Sequence, residues 1–176
     1  RENYIQEAAE KKQVLSNRIK LHFIGHLQSN KAKTAVECCD MIETIDRPKI
    51  VRALHKHLES ENRYLDVLVQ VNVGGESQKS GVLPQDTESL LLYMQDFPRL
   101  RLCGLMTMPP FTPDPERSRP YFRALREIAL QMHAKGLLGK HDKIELSMGM
   151  SHDYQVAIEE GATLVRLGRA LFGDRT

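Results

Sequence analysis

The 176 residues carry a formal charge of +2, with 41% hydrophobic and 27% charged side chains, the make-up of an ordinary globular domain with material for one full core and not two. So small a charge leaves no footprint for nucleic acid or an anionic membrane, and without an apolar run of about eighteen residues no membrane span is expected. Three cysteines make no disulfide framework: Cys38 and Cys39 are adjacent, Cys103 reads as a small core residue, and no Cys/His spacing suits zinc, which together predict a reducing, cytoplasmic setting. The polar start RENYIQEAAEKK shows no signal peptide, and a first residue of Arg rather than Met predicts further upstream sequence.

Along the chain, apolar runs alternate with amphipathic stretches. Residues 2–15 place Tyr4, Ile5, Ala8, Ala9 and Leu15 at helical spacing. Residues 20–25 read as a short buried strand, 29–39 as a helix, and 41–46 (MIETID) as a second strand. Asp46 is expected to cap the next helix, with Pro48 in its first turn and an end near Asn62. The Val/Leu run 65–73 predicts a strand buried on both faces, as under the helices of a parallel sheet, closed by Gly74-Gly75. A helix over 84–96 and a strand over 100–108 follow. A loop with five prolines occupies 109–120. After a helix over 121–135 come a strand over 144–150, a helix opened by Ser151-His152-Asp153 that reaches Glu160 with Gly161 as its C′ residue, and a last strand with its turn over 164–173.

Six strands in strict alternation with helices argue for a parallel sheet. An open doubly wound sheet and a closed (β/α)8 barrel both fit. At about 29 residues per unit, eight units need roughly 230, close to barrel size.

The stretches that could carry chemistry follow strands. Ser147, Met148, Gly149, Met150 and Ser151 are placed where a strand turns into a helix, where exposed N–H groups would suit an anion; alternatively, Ser151 is only an N-cap. Arg166 interrupts an apolar strand, and at a barrel mouth it would point inward to a ligand, or else pair with a neighbouring strand's carboxylate. Gly168 would let a ligand approach the backbone. Two such turns on consecutive strands suit phosphate. In HFIGHLQSNK (22–31), His26 reads either as a base or as a packed or hydrogen-bonded histidine. Lys31 and Lys33 are expected on a solvated helix face. Met106 and Met108 face one side, Asn72 is expected to look into the mouth, and DPERSR (114–119) reads as a solvated loop and helix start.

The stretches ENYIQEA (2–8), HFIGHLQSNK, GLMTM (104–108) and ELSMGMSHDYQVAIEEGATLVRLGRALFG (145–173) resemble the pyridoxal-phosphate homeostasis family, in order and over essentially the whole chain. The resemblance implies a (β/α)8 barrel of the alanine racemase N-terminal type with one pyridoxal 5′-phosphate at its mouth. It implies a cofactor-buffering and delivery role, with pyridoxal-phosphate-dependent apo-enzymes as partners and no established turnover; a racemase-like enzyme using His26 or Tyr4 is the alternative. Carried over, Arg166 matches the arginine facing the pyridine nitrogen, where it would weaken the ring as an electron sink. Ser147, Gly149, Ser151, Gly168 and Arg169 match the phosphate turns, and Asn3 an asparagine near the cofactor. The family's Schiff-base lysine, in a Val-Ser-Lys-Thr-like motif ending the first strand, has no counterpart here. The chain is therefore expected to lack that barrel's first strand, first helix and most of its second strand, to belong to a longer protein, and not to close a barrel by itself.

Overall fold

The structure is a computed structural model and describes residues 4–15, 19–139 and 143–173. Among these described residues six strands alternate with seven α-helices: α1 (Ile5–Leu15), β1 (His22–Phe23), α2 (Ala32–Cys38), β2 (Met41–Ile45), α3 (Pro48–Ser60), β3 (Leu65–Gln70), α4 (Thr87–Met94), β4 (Leu100–Met106), α5 (Arg119–Ala134), β5 (Glu145–Met150), α6 (Tyr154–Glu159), β6 (Leu164–Arg166) and α7 (Arg169–Phe172). The strands form one sheet in chain order, β1-β2-β3-β4-β5-β6, and every pairing is parallel.

The helices are amphipathic for an identifiable reason. In α3, Ile50, Val51, Leu54 and Leu58 recur every three to four residues and are all buried, behind Pro48 in the first turn. In α5, Phe122, Leu125, Ala129 and Met132 do the same. These side chains join Phe23, Ile42, Val67, Val69, Leu105, Leu146 and Met148 in one core. Alternate strand residues, Met41, Leu68 and Met106, form a separate small cluster with Cys103, Met108 and Leu164 against it. Because strand side chains alternate between faces, these are the two faces of the sheet. The buried apolar residues of α1 to α6 all lie in the first core.

One-sided helices decide between the two architectures, since a doubly wound sheet carries helices on both faces. Curvature agrees. Ser147 on β5 donates a hydrogen bond to Glu43 on β2 at 2.5 Å, although three strand spacings would set them roughly 14 Å apart in a flat sheet. The sheet is an arc of a barrel with its helices outside.

Local readings are corrected in places. Asp46 does not cap α3: Arg47 is the N-cap, and the Asp46 carboxylate instead pairs with Arg47 and lies 3.8 Å from His26. β3 ends at Gln70, where Val82 folds back beside it, its N–H donating to the Gln70 carbonyl at 2.9 Å while the Asn72 N–H donates to the Val82 carbonyl at 2.8 Å. Gly161 (φ +95°) ends α6 as expected: the Ala162 N–H reaches the Ala157 carbonyl and the Gly161 N–H the Ile158 carbonyl, both at 2.9 Å. No described helix is long and apolar enough to cross a membrane.

Candidate functional site

The C-terminal ends of β5 and β6 face each other across one oxygen atom. Ser151 Oγ accepts the Gly168 N–H at 3.1 Å and the Ala170 N–H at 3.2 Å. Two backbone donors converging on one oxygen form the kind of concavity that binds an anion. Ser151 is therefore not an N-cap; Asp153 holds that place before α6, and its carboxylate accepts the Met150 N–H at 2.8 Å. Gly149 turns the strand end at φ +87°, and a Cβ there would sit 2.5 Å from the Ala157 Cβ. At Gly168 an added Cβ would meet nothing within 4 Å: the space over that turn is open. Arg169 contributes the first backbone position of α7. Asn3 lies outside the described residues.

Ser147 belongs elsewhere. It is not in the turn but inside β5, with no solvent exposure. Its hydroxyl donates to Glu43 Oε2 and accepts Arg166 Nη1 at 2.9 Å. Arg166, only 5% exposed, also gives Nη2 to the Thr107 carbonyl at 2.7 Å. On the far side of Glu43, Oε1 lies 2.8 Å from His22 Nδ1. The arginine thus points into the arc as expected, but the carboxylate in its network comes from β2 and not from a neighbouring strand. Glu43, His22 and Thr107 escaped the sequence reading. A usable signal existed for Glu43: like Arg166, it is a charge flanked by apolar residues within a buried strand.

A cavity of about 750 Å³ opens at the same end of the sheet. Its walls include Tyr4, His26, Lys31, Gln70, Lys79 and Ser80, and neither Ser151 nor Gly168. The convergent donors lie at the rim turns and Arg166, outside this cavity. His26 is hydrogen-bonded, one of its two readings: its side chain is half exposed, with Nδ1 3.1 Å from Ser80 Oγ. Lys31 lines the cavity instead of a solvated face, whereas Lys33 is exposed, 3.8 Å from Glu37. Asn72 serves its own loop, donating to the Glu76 carbonyl at 2.8 Å. Cys103 is half-buried beside the inner cluster, and burial pushes its thiol up to about 11. Among the described residues no group of three or more His, Cys, Asp or Glu could hold a metal ion.

Comparisons with known proteins converge. A family model described as the alanine racemase N-terminal domain matches residues 2–176. The pyridoxal phosphate homeostasis protein of Aquifex aeolicus is 43% identical over 175 residues, covering 99% of this chain and 75% of the relative. That of Escherichia coli K12 is 39% identical over 181 residues, covering 99% and 74%. Among solved structures, PipY of Synechococcus elongatus with pyridoxal phosphate bound superposes with a TM-score of 0.86 at 31% identity, covering 97% of this chain and 79% of PipY. An alanine racemase of Clostridium difficile reaches 0.80 at 13% identity, covering 98% and 44%, a likeness of fold alone.

Proposed function

We propose a cofactor-holding role from one premise: the chain belongs to the pyridoxal phosphate homeostasis protein family, which is built on the alanine racemase N-terminal domain. In this reading the protein binds pyridoxal 5′-phosphate at the rim of β5 and β6 and buffers or delivers it to apo-enzymes. The observation that carries it is the convergence of the Gly168 and Ala170 amides on Ser151 Oγ, directly after the strand that buries Arg166.

The residues present fit the group. A phosphate oxygen would take the two amides, and the Ser151 hydroxyl, released from them, would turn to donate to the phosphate. The open space at Gly168 admits the ligand against the backbone. Arg166 stands ready on the ring side. A guanidinium never gives up its proton at ordinary pH, so it disfavours a protonated pyridine nitrogen facing it. When bound, the cofactor supplies a reactive aldehyde and an electron-poor ring; a fixed cation opposite the ring nitrogen limits the second property and suits storage over turnover. Gly149 shapes the turn, and Asn3 and Arg169 complete the proposed contacts. The lysine that would hold the aldehyde has no match in residues 1–176 and is assigned to a further segment. That β1 and β6 each pair on one side only among the described residues supports two more strands between them, closing the barrel.

Equilibrium binding of pyridoxal phosphate to the full-length natural protein tests the site. Wild type is expected to bind and to turn over no amino acid. Ser151→Ala is expected to weaken binding about tenfold, the value of one charged hydrogen bond of ~1.5 kcal/mol, and Arg166→Ala also to weaken it. Wild-type retention in both variants would refute the assigned pocket.

A further inference from the structure

We infer that Glu43 is a positioning residue for Arg166: through Ser147 it fixes the guanidinium on the ring side of the pocket and places a buried negative charge behind it. Glu43 has this role only if Arg166 faces the cofactor as proposed above.

Donor logic fixes the direction of the two bonds through Ser147. A guanidinium can only donate, so Arg166 Nη1 gives its hydrogen to Ser147 Oγ. The serine has one proton of its own, and Glu43 Oε2 receives it. That oxygen must be unprotonated. With Glu43 ionised, its other oxygen faces His22 Nδ1 at 2.8 Å, which then carries the hydrogen. Glu43 is wholly buried, and an ionised carboxylate without solvent persists only with such donors and a cation close by.

His22 of β1 and Ser147 of β5 meet this carboxylate from across the arc, and Arg166 of β6 is linked to it through Ser147. β3 and β4 contribute the apolar Leu68 and Met106 to the inner face, with the Cys103 thiol of β4 against them. His22 also lines a second cavity of about 660 Å³ at the N-terminal end of the strands, whose walls carry Lys20, Asp40, Asp66, Arg101, Lys143 and Glu145. The network thus runs from that charged bowl to the arginine beneath the cofactor rim.

Replacing Glu43 by glutamine keeps the shape and removes the charge. One amide oxygen cannot serve both Ser147 and His22, and Arg166 loses its balancing anion. The positive potential at the ring then rises, which favours deprotonation of a cationic cofactor and lowers its apparent pKa.

A pH titration of the absorption band of pyridoxal phosphate bound to the full-length protein decides the matter, with cofactor-free melting temperatures measured beside it. Glu43→Gln is expected to lower the band's midpoint by about one unit, the effect of one nearby charge. Glu43→Asp keeps the charge and is expected to restore most of the shift. A midpoint unmoved in both variants, whatever happens to the melting temperature, leaves Glu43 a structural residue and overturns the assignment. If Glu43→Gln does not fold, Ser147→Ala breaks the same link with both charges kept: a displaced midpoint supports the role, and a wild-type midpoint overturns it. A wild type that binds no cofactor brings down the cofactor reading itself, a failure plainly different from an unmoved midpoint.

Discussion

Gly149 and Gly168 flank the same rim, yet an added methyl group would do opposite things at each. At Gly149 it would strike the Ala157 Cβ at 2.5 Å from a backbone at φ +87°, so Gly149→Ala is expected to destabilise the fold by ~1–3 kcal/mol, read as a lowered denaturation midpoint in urea. At Gly168 it would enter empty space at an ordinary φ. Gly168→Ala is therefore expected to leave stability within ~0.5 kcal/mol of wild type while weakening pyridoxal phosphate binding; unchanged affinity would mean that the ligand does not lie against that turn. Sequence shows both glycines but not this difference, which depends on what packs opposite each. Ser147 teaches the same lesson. Its neighbourhood in sequence (SMGMS) groups it with Ser151, but strand alternation sends its hydroxyl into the arc, to Glu43, 104 residues away. Arg166 was legible because a lone charge in an apolar strand demands a partner. The partner was not, because nothing in a single sequence says how far a sheet curls.

The helices are tied to each other as well as to the sheet. Glu160, at the end of α6 and 4% exposed, meets Arg119, Arg123 and Arg126 of α5 at 3.1–3.2 Å. Hydrogen bonds from Arg123 and Arg119 hold its carboxyl below the ordinary glutamate range. A carboxylate with a depressed folded pKa stabilises fully above its unfolded value, roughly 4.3, and the contribution is lost as pH falls through the folded value. The wild-type melting temperature is thus expected to fall between pH 6 and pH 3 partly through this group, and Glu160→Gln to start lower at pH 6 and fall less steeply. Parallel slopes would show that the clamp contributes nothing to the acid limb. Helix positions were readable from 3.6-residue spacing, strands from apolar runs. Strand lengths were not: among the described residues β1 and β6 each pair on one side only, and only the residues facing a partner pair, so His22–Phe23 is all that remains of the run over 20–25. Similarly, pairing of the last run ends at Arg166, after which the chain turns into α7.

Across the whole molecule the two faces of the sheet divide the work. The outer face is an apolar layer shared by α1 to α6 and supplies most of the burial; the inner face holds a small apolar cluster beside the Glu43–Ser147–Arg166 chain. Sites that share no partner have nearly additive effects, so stability and ligand binding should separate along this division. Phe122 on α5, fully buried in the outer layer, is the sharpest probe. Phe122→Ala is expected to cost ~3–5 kcal/mol in urea denaturation, a large share of the ~5–15 kcal/mol typical of a domain, yet to change pyridoxal phosphate affinity less than about twofold under conditions where the variant is folded. Affinity falling in step with stability would mean that the helical layer sets the geometry of the rim, so that the cofactor site depends on the fold as a whole and not on the inner face alone.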